Sequence, residues 1–203
     1  MSLRFARFIL FLFHPLLLGF YFIVFKTITS PFIDFYPETV LFFNGAIIVG
    51  YLLIPFAFIY TFHKLGYLKS FTLQTKQDKM IAYGIFGLSY YLTFIVISSF
   101  IDFPLLQLYL LIPLVIIFTL LVINFFFMIS ANALYMGSLI GFFVGFGYQF
   151  QQNYLFVILS IIFFSSWIFS SLLFLRRNTS IQIYSGFLLG MFLFIFMFLY
   201  LLR

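Results

Sequence analysis

Residues 103–175 read FPLLQLYLLIPLVIIFTLLVINFFFMISANALYMGSLIGFFVGFGYQFQQNYLFVILSIIFFSSWIFSSLLFL and contain no charged side chain. One helix needs roughly 20 apolar residues to cross the hydrocarbon core of a bilayer, so this stretch is long enough for several crossings. A water-soluble protein needs charge spread over its whole surface, which this stretch does not provide. The stretch therefore predicts several membrane-spanning segments joined by short turns.

The composition of the whole chain points to helical spans. Of the 203 residues, 66% are hydrophobic and only 7% are charged. Backbone groups in lipid must be hydrogen-bonded internally, which leaves helices or a closed barrel. Barrel strands alternate apolar and polar residues, whereas the apolar runs here are continuous. We therefore expect an all-α, polytopic transmembrane helical bundle that forms a single domain over residues 1–203.

Charged residues and prolines divide the chain into about seven predicted spans. These cover residues 8–25, 39–62, 80–101, 105–127, 130–148, 154–175 and 180–202. Pro15 follows His14 inside the first span and predicts a kink there, because proline breaks the helical hydrogen-bond ladder. Because His14 lies next to this kink, we interpret it as a structural residue that is packed inside the protein.

The distribution of basic residues predicts the orientation of the chain. Seven spans place the termini on opposite sides of the membrane, and eight of the ten basic residues then share the N-terminal side: Arg4, Arg7, Lys64, Lys69, Lys76, Lys79, Arg176 and Arg177. The positive-inside rule makes that side cytoplasmic. The net charge of +6 is scattered over short loops without a basic face, so we expect no nucleic-acid partner.

Small residues recur at intervals of four in two of the predicted spans. The residues are Ala133, Gly137, Gly141 and Gly145, followed later in the chain by Gly186 and Gly190. Such spacing places small side chains on one face and predicts close packing against a neighbouring helix. A groove for a lipid or another ligand on that face is the alternative interpretation.

Two polar segments carry a resemblance to a known family. MISANALYMGSLIG at 128–141 and RRNTSIQIYSGFLLG at 176–190 resemble the second and third motifs of the type-2 phosphatidic acid phosphatase superfamily, in its compact bacterial form. The chain keeps Ile129, Ser130, Gly137, Leu139 and Gly141 of the second motif and Thr179, Gln182, Gly186 and Gly190 of the third. The resemblance implies a bundle whose motifs share one membrane face, in a bacterial inner membrane.

The same alignment places unsuitable residues at the positions that carry the chemistry. The resemblance implies a proton-donating His at Asn132 and a nucleophilic His at Asn178, and cationic residues at Met128 and Leu172. An amide serves neither as a general acid nor as a phosphoryl acceptor, so we expect no catalytic residue. The remaining candidate contacts to a lipid phosphate are Lys76, Lys79, Ser130, Arg176 and Arg177.

These departures favour a function without turnover. The interpretation that we prefer is a non-catalytic accessory or scaffolding subunit of a larger inner-membrane complex, with membrane lipids and other membrane subunits as partners. The alternative is a lipid-phosphate binding protein, and an active lipid phosphatase is the least favoured of the three. The chain has no Cys and no cluster of His, Asp and Glu with metal-ligand spacing, so we expect neither a metal nor another cofactor.

Overall fold

A computed structural model describes residues 3–29, 37–68, 75–100 and 102–201, and every regular element within these ranges is a helix. The elements are α1 (Leu3–Leu12), α2 (Pro15–Ile28), α3 (Pro37–Ile47), the π-helix π1 (Ile48–Leu53), α4 (Ile54–Lys64), α5 (Lys76–Phe100), α6 (Pro104–Phe126), α7 (Ala131–Phe150), α8 (Leu155–Phe174), α9 (Ser180–Phe196) and the π-helix π2 (Met197–Leu201). Lys69, one of the basic residues used for the orientation, lies outside the described residues.

The helices confirm a polytopic membrane protein. Six stretches within the described residues are long and apolar enough to cross a bilayer: Glu38–Lys64, Lys76–Phe100, Pro104–Phe126, Ala131–Phe150, Leu155–Phe174 and Ser180–Tyr200. They coincide with the last six predicted spans to within a few residues at each end. A seventh span is reached when α1 and α2 are counted together as one broken span.

The break that His14 and Pro15 predict in the first span is present. The backbone N–H of Phe13 still bonds the Ile9 carbonyl, at 2.9 Å, and the next N–H, that of His14, bonds the Phe11 carbonyl at 3.3 Å. Pro15 has no N–H to continue the ladder, and it begins α2 instead, where a helix leaves its N–H groups unbonded in any case. His14 thus lies in the two-residue gap between the helices.

The chain divides into two compact units. The first unit comprises residues 1–15 and 127–203 and holds α1, α7, α8, α9 and π2. The second unit comprises residues 16–126 and holds the other helices. That the whole chain forms a single domain stays a prediction.

The second unit is organised around the π-helix π1. The buried rings of Tyr51 and Tyr90 stack with their centroids 4.0 Å apart, and the Tyr51 hydroxyl donates to the Leu110 carbonyl at 3.1 Å. The Ser89 hydroxyl donates to the Gly50 carbonyl at 2.5 Å, which gives a polar partner to a carbonyl in the widened π turn. These contacts tie π1 to α5 and α6.

In the first unit, α7 is the central helix, and its small residues face α9. About two thirds of the apolar part of α7 is buried, whereas most of α8 and α9 is exposed. A methyl group added at Gly137 would collide with the Phe187 carbonyl, and one at Gly190 would collide with the Leu134 carbonyl. The two backbones therefore touch without a side chain between them, as small residues allow in membrane helices.

The close approach of α7 and α9 predicts the effect of a single methyl group. We expect Gly141→Ala to lower the free energy of unfolding by roughly 1–3 kcal/mol, because the new Cβ would collide with the Met191 carbonyl. Gly84→Ala in α5 is the matched control, since its added Cβ has no described atom within 4 Å. Thermal unfolding of both variants in the same detergent measures the difference. Equal stability of the Gly141→Ala variant and the native chain would contradict the packing.

Candidate functional site

The first unit brings the two motif segments of the sequence together. The backbone N–H of Ser130, the residue before α7, donates to the carbonyl of Gln182 in the first turn of α9 at 3.0 Å. Gly186, one turn further along α9, lies so close that an added Cβ would be 3.0 Å from the Ser130 carbonyl oxygen. The N-termini of α7 and α9 are therefore neighbours, and residues that begin each helix belong to one site.

The start of α9 is fixed by a capping box. The Thr179 hydroxyl accepts from the Gln182 N–H at 3.4 Å, while the Gln182 side-chain oxygen accepts from the Thr179 N–H at 3.1 Å. Two of the N–H groups that a helix start leaves unbonded are satisfied in this way. The pattern Thr-x-x-Gln is a common signal for the start of a helix. The same two residues are among those that carry the family resemblance.

Asn178 joins this capping box. Its side-chain amide donates to the Gln182 side-chain oxygen at 3.2 Å, so that this oxygen accepts from two donors. Asn178 occupies the position where the resemblance implies a nucleophile. In this structure its amide stabilises the first turn of α9.

Asn132 connects α7 to the end of α1. Its side-chain amide donates to the Phe13 carbonyl at 2.5 Å across 119 residues of sequence. That carbonyl lies in the gap after α1, where helix-type partners are missing. The bond therefore holds the backbone immediately before His14 against the start of α7. The ring of Phe13 also packs on Phe164 of α8, at 5.3 Å between centroids.

His14 lies in the same region and has an unsatisfied ring nitrogen. Its Nδ1 atom is buried and has no hydrogen-bond partner among the described residues. A buried polar atom without a partner costs about 1–3 kcal/mol, so such an atom calls for an explanation. The bond from Asn132 to the Phe13 carbonyl places the backbone of His14 beside the start of α7, a contact that the sequence alone did not predict.

Arg176 and Arg177 form the turn that ends α8. The N–H of Arg176 bonds the Leu173 carbonyl and the N–H of Arg177 bonds the Leu172 carbonyl, both at 3.0 Å. This is a Schellman motif, and it puts Arg176 at φ 50°, a left-handed conformation that glycine adopts more readily. The backbone of both residues thus has a structural task, while both side chains are exposed. We use the name polar cluster for His14, Asn132, Arg177, Asn178 and Gln182.

The other sequence candidates have structural partners or belong to the second unit. The Ser130 hydroxyl accepts from the Ala133 N–H as the N-cap of α7, and Ser130 is buried. Lys76 and Lys79 belong to the second unit. The Lys76 ammonium donates to the Phe125 carbonyl at the end of α6, at 2.8 Å, and Lys79 is half-buried. A cation at the last carbonyls of a helix is a common helix-end contact.

Comparison of the chain with protein-family models, with curated proteins and with solved structures finds no match. Among the residues that the structure describes, no group of three or more His, Asp or Glu side chains could hold a metal ion. The chemistry of the polar cluster therefore has to be argued from its own side chains, which are amides, one imidazole and one guanidinium.

The backbone at Arg176 generates a prediction about stability. We expect Arg176→Gly to raise the free energy of unfolding by about 1 kcal/mol, because glycine adopts the left-handed conformation without a Cβ penalty. Arg177→Gly, one residue later and without a positive φ, should lower it or leave it unchanged. Thermal unfolding of the two variants measures both shifts. Each substitution removes one positive charge, so the change in charge is the same in both. Equal shifts in the two variants would contradict the assignment.

Proposed function

We propose that the chain is a non-catalytic integral membrane protein of the bacterial inner membrane, similar to type-2 phosphatidic acid phosphatases, and that it serves as an accessory or scaffolding subunit of a larger membrane complex. The observation that carries this proposal is the use of the two asparagine amides. Where the resemblance implies a proton donor and a nucleophile, Asn132 donates to a backbone carbonyl and Asn178 to a capping glutamine. Neither amide supplies acid or nucleophilic chemistry.

The surface of the chain supports a role within the bilayer. Large apolar side chains are exposed along the helices, among them Phe156 at 85% and Phe118 at 67%. Such side chains contact lipid, and they are also the surface through which another membrane subunit packs. The described loops between α6 and α9 are short turns, which favours partners that contact the helices from the side over partners that bind in water.

A second candidate function is the binding of a lipid phosphate without turnover. One observation favours it: the Arg177 side chain is exposed in the turn before α9, whose first turn contacts the residue before α7. Arginine is a strong phosphate ligand, because its planar fork donates several hydrogen bonds to one anion.

An assay with a lipid phosphate tests the non-catalytic part of the proposal. We expect the purified chain to release no phosphate from phosphatidic acid above the protein-free rate, because the site lacks both a proton donor and a phosphoryl acceptor. Asn178→Ala is the control variant. Phosphate release by the native chain that disappears in this variant would contradict the proposal and assign a chemical role to Asn178.

Purification tests the subunit part separately. In a mild detergent we expect the chain to migrate in a particle larger than one 24.0 kDa copy in its micelle, with a partner in fixed stoichiometry. A chain that stays alone at native expression level would contradict the subunit role.

Labelling of single cysteines tests the proposed orientation, in which the N-terminus is cytoplasmic. The native chain has no Cys, so a Ser70→Cys or Gln152→Cys variant carries a unique thiol. A reagent that does not cross the membrane should label Gln152→Cys in intact cells, while Ser70→Cys, which lies outside the described residues, should react only after lysis. Labelling of the Ser70→Cys variant in intact cells would contradict the proposed orientation and indicate the opposite one.

A further inference from the structure

An apolar groove runs along the surface of the second unit. One of its walls consists of α3 and π1, and the other consists of α5. The residues that line it include Phe42, Gly45, Ala46, Val49, Leu92 and Val96. At its base π1 and α5 touch, since a Cβ added to Gly50 would collide with the Thr93 hydroxyl. That hydroxyl, the polar group of the lining, already donates to the Ser89 carbonyl at 2.7 Å, so an occupant of the groove meets mainly hydrocarbon.

The dimensions of the groove fit one hydrocarbon chain better than they fit a helix. From Phe42 to Ile54 the groove follows its wall for roughly 18 Å, at the helical rise of about 1.5 Å per residue. Its volume of about 540 Å³ then corresponds to a cross-section of roughly 30 Å², whereas a helix about 10 Å in diameter needs roughly 80 Å². One leaflet of the hydrocarbon core is about 15 Å thick, which is similar to the length of the groove. A single acyl chain of a lipid therefore fits where the helix of a partner does not.

The end of the groove that lies at the membrane surface carries negative charge. The rings of Phe42 and Phe100 pack with their centroids 6.2 Å apart, so the start of α3 lies beside the end of α5. Glu38, one turn before Phe42 on the same face of α3, and Asp102, two residues after Phe100, are both exposed there. Lys26, the basic residue that the structure describes at this end of the unit, is buried against an aromatic ring. Among the described residues, the exposed charge at the mouth of the groove is therefore that of two carboxylates.

We propose that the groove binds one acyl chain of a phospholipid whose headgroup carries a primary ammonium, and that Glu38 and Asp102 bind this ammonium. A primary ammonium has three N–H donors, so it can form charge-assisted hydrogen bonds to both carboxylates. A glycerol headgroup offers no cation, and a trimethylammonium offers a cation without an N–H donor. The ligand class is therefore that of phosphatidylethanolamine. The site lies within the second unit and does not depend on the proposed subunit role.

Native mass spectrometry of the purified full chain tests the headgroup contact. The chain is titrated in detergent with dioleoyl phosphatidylethanolamine, with dioleoyl phosphatidylglycerol and with dioleoyl phosphatidylcholine, each alone. We expect phosphatidylethanolamine to bind at least about tenfold more tightly than either of the others. A double variant with Glu38→Gln and Asp102→Asn should bind it only as tightly as phosphatidylcholine, because both side chains keep their size and lose their charge. Equal binding of the three lipids to the native chain would overturn the proposal.

The Gly45→Leu variant tests whether the acyl chain occupies the groove. A Cβ added at Gly45 has no described atom within 4 Å, so the leucine should fill the groove without disturbing the fold. We expect phosphatidylethanolamine to bind this variant about tenfold more weakly, at an unchanged unfolding temperature, because the acyl chain loses apolar contact. Gly84→Leu is the matched control, since Gly84 is equally open but does not line the groove. A Gly45→Leu variant that folds and binds this lipid like the native chain would contradict the site.

Photolabelling of the native chain gives the same answer without a variant. Phosphatidylethanolamine that carries a diazirine in its acyl chain should label residues 42–54 and 92–97 more strongly than the exposed residues 155–163 of α8, and an excess of the unmodified lipid should remove the difference. Equal labelling of both regions would refute the groove as the site. The mass spectra also detect another occupant: a two-copy particle of the native chain that is lost in Gly45→Leu would assign the groove to a second copy and refute the lipid.

Discussion

The direct backbone contact between α7 and α9 is the constraint on which the first unit depends. In a membrane the lipid is as apolar as a leucine side chain, so helices gain little from burying apolar groups against each other. Close approach and polar contacts have to provide the association instead. Gly137 and Gly190 allow each helix to touch a carbonyl of the other, and the resulting register places the Ser130 N–H on the Gln182 carbonyl. The hydrogen bond between the two helix starts follows from that register.

Much of this fold could be predicted because its signals are local. A run of apolar residues between charged residues predicts a span. Pro15 predicts the break in the first span, because proline has no N–H to continue the helical hydrogen bonds. The interval of four between Gly137, Gly141 and Gly145 identifies a face for close packing. The spacing predicts close packing with a neighbouring helix but does not by itself identify that helix, and a lipid or ligand groove was the alternative interpretation.

The arrangement of the candidate site could not be predicted, because it depends on contacts distant in sequence. The bond from Asn132 to Phe13 joins residues 119 positions apart, and nothing in either segment specifies that register. Lys76 shows a second limit: its charge suggested a phosphate contact, and in the structure its ammonium donates to the last turn of α6. A cation at a helix end and a cation in a binding site look alike in a sequence.

The residues that carry the family resemblance all have structural tasks in this chain. Thr179 and Gln182 cap α9, Ser130 caps α7, and Gly186 and Gly190 allow the helices to touch. Selection for a stable fold alone would preserve these residues, whether or not the neighbouring histidines are present. Shared residues of this kind therefore indicate helix packing and are not evidence for a similar reaction. What the site can do has to be decided by groups without a structural role, and within the described residues of the polar cluster the buried Nδ1 of His14 is one such group.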